Sequence, residues 1–212
     1  KVALLDAGDI GGATSCRSTK LLHGGVRYLE LAFKTFNLNQ LELVREALIE
    51  REHWLKEVPF LAHRFELALP SNNLFETAYF GIGLGIYDLL SGDKNIIKSR
   101  RITSNELNNS LPLLCNSFVG GIAYSDGQFD DARLNLLIAL TAERAGSIIR
   151  NYCNVVEIIK DQKGKICGAI SEDNLGRQEH WETLAVVNAT GNKADFLRQL
   201  VDKDSEPCVL TS

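Results

Sequence analysis

The 212-residue chain has no methionine, and its five cysteines include no CxxC pair. Cys16, Cys115, Cys153, Cys167 and Cys208 are odd in number and far apart. That spacing argues against a zinc ligand set or a disulfide framework, and for free thiols in a reducing compartment. There is no excess of positive charge: the formal net charge is −4, so no global basic field points to nucleic acid. No apolar run approaches the roughly 20 residues of a membrane-spanning helix. No signal peptide, internal repeat or low-complexity tract is visible. Hydrophobic residues at 45% and charged residues at 24% describe an ordinary globular protein. The chain opens inside the apolar run KVALLD and stops at VLTS. The expectation is a fragment of a longer protein, with a motif upstream.

Lys1 to Asp6 reads as a buried parallel strand ending in an acid. Residues 7–27, rich in Gly, Ser and Thr, read as an ordered loop with one helical turn. From about Asn37 to Val58, Leu41, Val44, Leu48, Leu55 and Val58 keep helical spacing. The opposite face carries Glu42, Arg45, Glu46, Glu50, Glu52 and Lys56 and reads as solvated. Arg64–Leu69 alternates as a strand up to Pro70. Glu76–Leu90 reads as an apolar helix interrupted by Gly81, Gly83 and Gly85. Thr103 or Ser104 with Glu106 predicts a short capped helix before Pro112. Phe118–Tyr124 reads as a strand, and Asp131–Ala145 as an amphipathic helix closed by Gly146. NVVEIIKD, GKICGAISED and HWETLAVVNATG are strand-like runs joined by QKGK and NLGRQ, an antiparallel meander. The fold class is mixed α/β: part of a Rossmann-like domain, the meander, and an inserted segment. Its limits are 1–60, 61–125 and 126–212.

Three stretches carry chemistry. An acid at the end of an apolar strand, as at Asp6, suits the second strand of a dinucleotide-binding βαβ unit, where it accepts from ribose hydroxyls. A strand ending in Asp at an ordinary turn looks the same. VVNATG ends in small residues, Ala189, Thr190 and Gly191, that let backbone approach a pyrophosphate, or simply enter a turn. SCRSTKLLHGGVRYLE is the most pointed. Thr14, Ser15, Ser18, Thr19 and Lys20 are short or cationic donors, Gly24-Gly25 permits close approach, and Arg27 is a fork donor for an anion. In DGQFDDARL, the acids Asp126, Asp130 and Asp131 with Arg133 read as structural rather than catalytic or metal-binding. Asp130 or Asp131 caps the next helix, and Arg133 pairs with a nearby acid. His53, His63 and His180 have no partner pattern.

ATSCRSTKLLHGGVRYLE resembles the TS-x-x-STKL-x-HGG-x-RYL signature of FAD-dependent glycerol-3-phosphate dehydrogenases. GIAYSDGQFDDARL resembles that family's Y-x-DGQ-x-DDARL block, VVNATG its strand entering the flavin site, and IYDLLSG its middle region, all in order. The resemblance implies that Asp6 holds the adenosine ribose of FAD, and that Thr14, Ser15, Ser18, Thr19 and Lys20 wrap the cofactor. It places His23, Gly24 and Gly25 beside the isoalloxazine, with His23 a general base or a ring-orienting group. It places Arg27 at the substrate phosphate with Tyr28 beside it, Val155 at the adenine, and Ala189, Thr190 and Gly191 against the cofactor. The implied reaction oxidises sn-glycerol 3-phosphate to dihydroxyacetone phosphate. A base takes the C2 hydroxyl proton, hydride passes to the flavin, and electrons pass to quinone. No metal is implied. Peripheral membrane contact, at the cytoplasmic side of an inner membrane or at the mitochondrial inner membrane, follows from the resemblance alone, as does a homodimer. Two departures are Asn192-Lys193 after NATG and Ser125 in the DGQ block. An oxidase passing electrons to oxygen, an amine oxidoreductase and a non-catalytic nucleotide-binding module stay open.

Overall fold

Apolar periodicity and turn residues place the elements of the computed structural model, which describes residues 1–26, 28–30, 38–92, 97–114 and 118–209. Arg27 and Cys115 lie outside the described residues. In chain order come β1 (Ala3–Leu5), a 3-10 turn (Thr14–Cys16), β2 (Leu21–Leu22), α1 (Leu38–Glu57), β3 (Ala62–Ser71) and α2 (Leu74–Ser91). Then follow β4 (Arg100–Thr103), α3 (Ser104–Ser110), β5 (Gly120–Phe129), α4 (Asp131–Arg144), β6 (Ile148–Arg150), β7 (Cys153–Lys160), β8 (Ile166–Asp173), β9 (Gln178–Glu182) and α5 (Ala194–Val201). Two compact units result: Lys1–Cys16 with Asn135–Ser212, and Arg17–Leu134. This is a different division from segment limits at 60 and 125.

In the first unit, β1 pairs in parallel with β6, Ala3 opposite Ile148 and Leu5 opposite Arg150. Strands β7, β8 and β9 form the expected antiparallel meander. The turn between β7 and β8 closes with the Asp161 N–H on the Lys165 carbonyl, and Gly164 supplies the positive φ of 76° that the turn needs. Two expectations are corrected. β1 is parallel but not buried: Leu4 is 42% exposed. Enclosure of a parallel strand needs cover on both faces, and β6 is the one strand paired with β1 among the described residues. LAVVNATG is not a strand. The meander ends at Glu182, with the Thr183 N–H still on the Cys167 carbonyl, and no ladder partner among the described residues takes up the backbone groups of 184–190. α4 stops as predicted. Gly146 adopts φ of +93° and the Ser147 N–H returns to the Ala142 carbonyl, the paired C-terminal closure that only a residue tolerant of positive φ allows.

The second unit is organised around β5. β3 pairs with it antiparallel along its whole length, from Ala62 opposite Phe129 to Ser71 opposite Gly120. β2 and β4 pair with its two ends. Glycine is required at position 121, where a Cβ would fall 2.3 Å from the Leu69 carbonyl oxygen. α1 and α2 cover the sheet through Val44, Leu48, Leu84, Tyr87, Ile122 and Leu29, and a smaller cluster joins Ile102, Leu107 and Ala123. α2 starts at Asn73, whose side chain accepts the Glu76 N–H, and Glu76 in turn accepts the Asn72 N–H. That cap supports a helix whose Gly81, Gly83 and Gly85 lower its propensity. Thr103 caps α3 by accepting the Glu106 N–H, as its spacing predicts. The two-residue β2 and three-residue β6 were not anticipated, being too short for any period to register.

Candidate functional site

Within the Arg17–Leu134 unit, residues 18–20 are organised by one carboxylate. Asp131, 1% exposed, accepts the Ser18 N–H at 3.1 Å and the Ser18 hydroxyl at 2.8 Å, and pairs with the Lys20 ammonium. It also accepts the Ala132 N–H, while Asp130 accepts the Arg133 N–H at 3.1 Å and lies 3.5 Å from the Arg133 guanidinium. The structural reading of this acidic block therefore holds for both residues. Lys20 takes a positive φ of 59°, rare for a residue with a Cβ. The Lys20 ammonium, against the opposing effect of burial, holds the Asp131 carboxyl down at about 2. A depressed carboxyl stabilises above its unfolded value near 4 and loses that contribution as pH falls through its folded value. Amide-exchange protection at Ser18 is accordingly expected to decline as pH drops from about 4 to about 2, and Asp131→Asn should abolish that step.

Next come His23, Gly24 and Gly25. His23 and Tyr28 are exposed, while Gly24 and Gly25 are buried. The Gly25 N–H donates to His23 Nδ1 at 3.0 Å. A backbone N–H can only donate, so Nδ1 is the bare nitrogen, and in the neutral ring Nε2 carries the hydrogen. Gly25 has φ of +75°, and the Tyr28 ring lies so close that a Cβ on Gly25 would come within 2.6 Å of it. Gly24 is crowded differently. A Cβ there would meet Leu48 at 2.6 Å and the Tyr87 hydroxyl at 2.8 Å.

Behind Gly24 lies an ionic network that the sequence reading did not single out. The Gly24 N–H donates to the Tyr87 hydroxyl at 2.7 Å, and that hydroxyl donates to Asp126 Oδ1 at 2.9 Å. The Arg51 guanidinium donates to the same Oδ1 at 2.6 Å, and its carbon lies 5.9 Å from the Tyr87 ring centre. Arg51, Tyr87 and Asp126 are each 1% exposed. Burial, with the Asp126 charge adding, pushes the Tyr87 hydroxyl well above its ordinary range. The phenol therefore stays protonated and gives its hydrogen to Asp126. Burial likewise pushes the Asp126 carboxyl up, against the opposing Arg51 guanidinium. The signal was present in the sequence: Arg51 stands at helical spacing between Leu48 and Leu55 on the apolar stripe.

The remaining predicted residues lie in the other unit. Asp6 ends β1, its N–H on the Arg150 carbonyl and its carbonyl accepting the Cys153 N–H. Its carboxylate accepts the Gly8 N–H at 2.9 Å. Val155, two residues into β7, lies next to a bulge. Thr14 and Ser15 form the exposed 3-10 turn, with the Asn135 amide donating to the Ser15 carbonyl. Ala189, Thr190 and Gly191 are exposed around Asn188, whose side-chain oxygen accepts the Thr190 N–H and hydroxyl and whose amide donates to the Ala194 carbonyl. Gly191 has φ of +59°. An acid at the carboxyl end of a parallel strand and exposed hydroxyl-bearing turns fit a dinucleotide, which binds outside strand carboxyl ends.

A model of the FAD-dependent oxidoreductase family matches residues 1–211. The chain belongs to that family. This FAD-dependent oxidoreductase is 37% identical over 220 residues to a probable mitochondrial glycerol-3-phosphate dehydrogenase of Dictyostelium discoideum, covering 100% of the chain and 34% of the relative. It is 39% identical over 212 residues to the mitochondrial glycerol-3-phosphate dehydrogenase of Homo sapiens, covering 97% of the chain and 29% of the relative. The glycerol-3-phosphate dehydrogenase of Bacillus halodurans, solved with FAD, superimposes with a TM-score of 0.64 at 25% identity, covering 94% of this chain and 31% of that one. The chain thus spans about a third of the length of these relatives, and the mixed α/β expectation agrees with their fold. Among the described residues no helix is long and apolar enough to cross a membrane.

Proposed function

We propose that the protein oxidises glycerol 3-phosphate to dihydroxyacetone phosphate. The reading rests on identity of 37% across the whole chain to a glycerol-3-phosphate dehydrogenase. Asp6, Thr14, Ser15, Thr19, Val155 and the 189–191 turn would hold FAD, which when bound accepts the hydride from substrate C2. Ser18 and Lys20, already engaged by Asp131, contribute the shape of the loop. Gly24 and Gly25 let backbone come close to the ring. His23, bare at Nδ1, presents Nε2–H as a hydrogen-bond donor. Of its two candidate roles, orienting fits this arrangement better than proton abstraction, which would need the other tautomer and the loss of the Gly25 bond. Arg27 would hold the substrate phosphate with Tyr28 beside it, fixing C2 for transfer. Quinone is the proposed acceptor, which sets the protein at the face of an inner membrane, mitochondrial by analogy with its relatives.

The test is anaerobic addition of glycerol 3-phosphate to the full-length protein. Rapid bleaching of the flavin absorption is expected, and a flavin that stays oxidised overturns the substrate. Oxygen consumption without added quinone would mark an oxidase instead. In the same protein Arg27→Ala is expected to raise KM by about 10- to 100-fold with flavin retained, the worth of charge-assisted hydrogen bonds to a phosphate. Unchanged kinetics would remove Arg27 from the phosphate site.

A further inference from the structure

The Arg51–Asp126–Tyr87 network has features that packing alone does not account for. Three elements, α1, β5 and α2, each bring one polar side chain to the same buried point. The chain of donors is directional: the Arg51 guanidinium and the Tyr87 hydroxyl both give to Asp126 Oδ1, leaving a Tyr87 lone pair for a single backbone N–H, that of Gly24. Asp126 Oδ2 is buried with no hydrogen-bond partner among the described residues, a cost that a core assembled only for stability would shed. Replacing a buried ion pair by apolar residues of similar volume is often neutral or stabilising. The network ends on a turn where a Cβ has no room, because Leu48 and the Tyr87 hydroxyl press against Gly24. From Gly24 the constraint passes to the next N–H, that of Gly25, which holds the His23 ring by Nδ1.

We propose that Arg51, Asp126 and Tyr87 are positioning residues of the reaction: they lock the Gly24 N–H and thereby fix the His23 ring and the close-approach surface of the Gly24-Gly25 turn. None of the three touches the reacting atoms, and the proposal rests on the reading of this turn as the flavin-facing one. Tyr87 is the discriminating member. Tyr87→Phe keeps the ring in the core and removes only the hydroxyl, freeing the Gly24 N–H.

The experiment uses the full-length, flavin-loaded protein, as wild type, Tyr87→Phe and Leu107→Ala. Leu107, fully buried in the separate Ile102–Leu107–Ala123 cluster, controls for general destabilisation. For Tyr87→Phe, the rate constant for flavin bleaching by glycerol 3-phosphate is expected to fall about ten-fold, the scale of a sub-ångström misplacement. The concentration giving half-maximal bleaching rate should stay within roughly two-fold. Amide exchange over residues 23–25 should accelerate in Tyr87→Phe and hold at the wild-type rate in Leu107→Ala. Wild-type exchange and bleaching in Tyr87→Phe would overturn the positioning role, and so would the same changes in Leu107→Ala. If glycerol 3-phosphate fails to bleach the wild type, the substrate assignment falls. The exchange comparison then decides the positioning role by itself.

Discussion

Asp126→Ala is expected to destabilise the protein by about 3–5 kcal/mol, the usual consequence of removing one partner from a buried ion pair. The size comes from what is left behind. Arg51, 1% exposed in the middle of α1, would face the cavity with its carboxylate partner gone. The Tyr87 hydroxyl would lose its acceptor at the same time. A buried charge that loses its carboxylate counter-ion costs far more than the pair was favourable. The double variant Arg51→Met/Asp126→Leu removes both charges and should recover most of the loss, because neither desolvation penalty then remains. Chemical denaturation of wild type, Asp126→Ala and the double variant measures the loss and its recovery. A loss below about 1 kcal/mol in Asp126→Ala would mean that Arg51 reaches solvent after all.

The second large effect is expected from Gly24→Ala. The added Cβ would stand 2.6 Å from both Leu48 Cγ and Cδ2 and 2.8 Å from the Tyr87 hydroxyl. Neither neighbour can yield cheaply. Leu48 is 1% exposed, and Tyr87 is bonded to Asp126 and packed under Arg51. The turn must move instead, and overpacking of this kind costs about 1–3 kcal/mol. Because that movement carries Gly25 and His23 with it, the full-length variant should purify with much less flavin than the wild type. Adding Leu48→Ala opens the space the new methyl needs and should restore part of the flavin content. Visible absorption per protein reads this directly. A Gly24→Ala protein with wild-type flavin content and stability would show that the turn is free to shift.

Local sequence was sufficient wherever a short-range rule operates. The helical spacing of Leu41, Val44, Leu48, Leu55 and Val58 matches α1, Thr103 with Glu106 caps α3, Gly146 closes α4, and turn residues separate the meander strands. These features depend on neighbours within a few residues, so they are readable without knowing the fold. The motif residues were visible for the same reason: His23, Gly24 and Gly25 are adjacent in the chain. LAVVNATG has the pattern of a strand and is none, because an apolar run is only a candidate strand, and a strand exists where another backbone accepts its hydrogen bonds.

What needed the tertiary structure is everything set by distance in space rather than in sequence. Asp131 reaches Ser18 across 113 positions, and Arg51 reaches Asp126 across 75. In DGQFDDARL, Asp126 is one acid among several, and although Arg51 is spaced with Leu48 and Leu55 on the apolar stripe, nothing in its own segment points to Asp126. No pattern within either segment distinguishes a solvated carboxylate from a buried one. The difference is made by desolvation, which belongs to the assembled core: α1, α2 and β5 exclude water from the same point, and an acid and a base placed there must find each other. Chemistry held in contiguous residues was therefore legible in the chain, while the pairing of Arg51 with Asp126 behind Gly24 was decided only where three elements met.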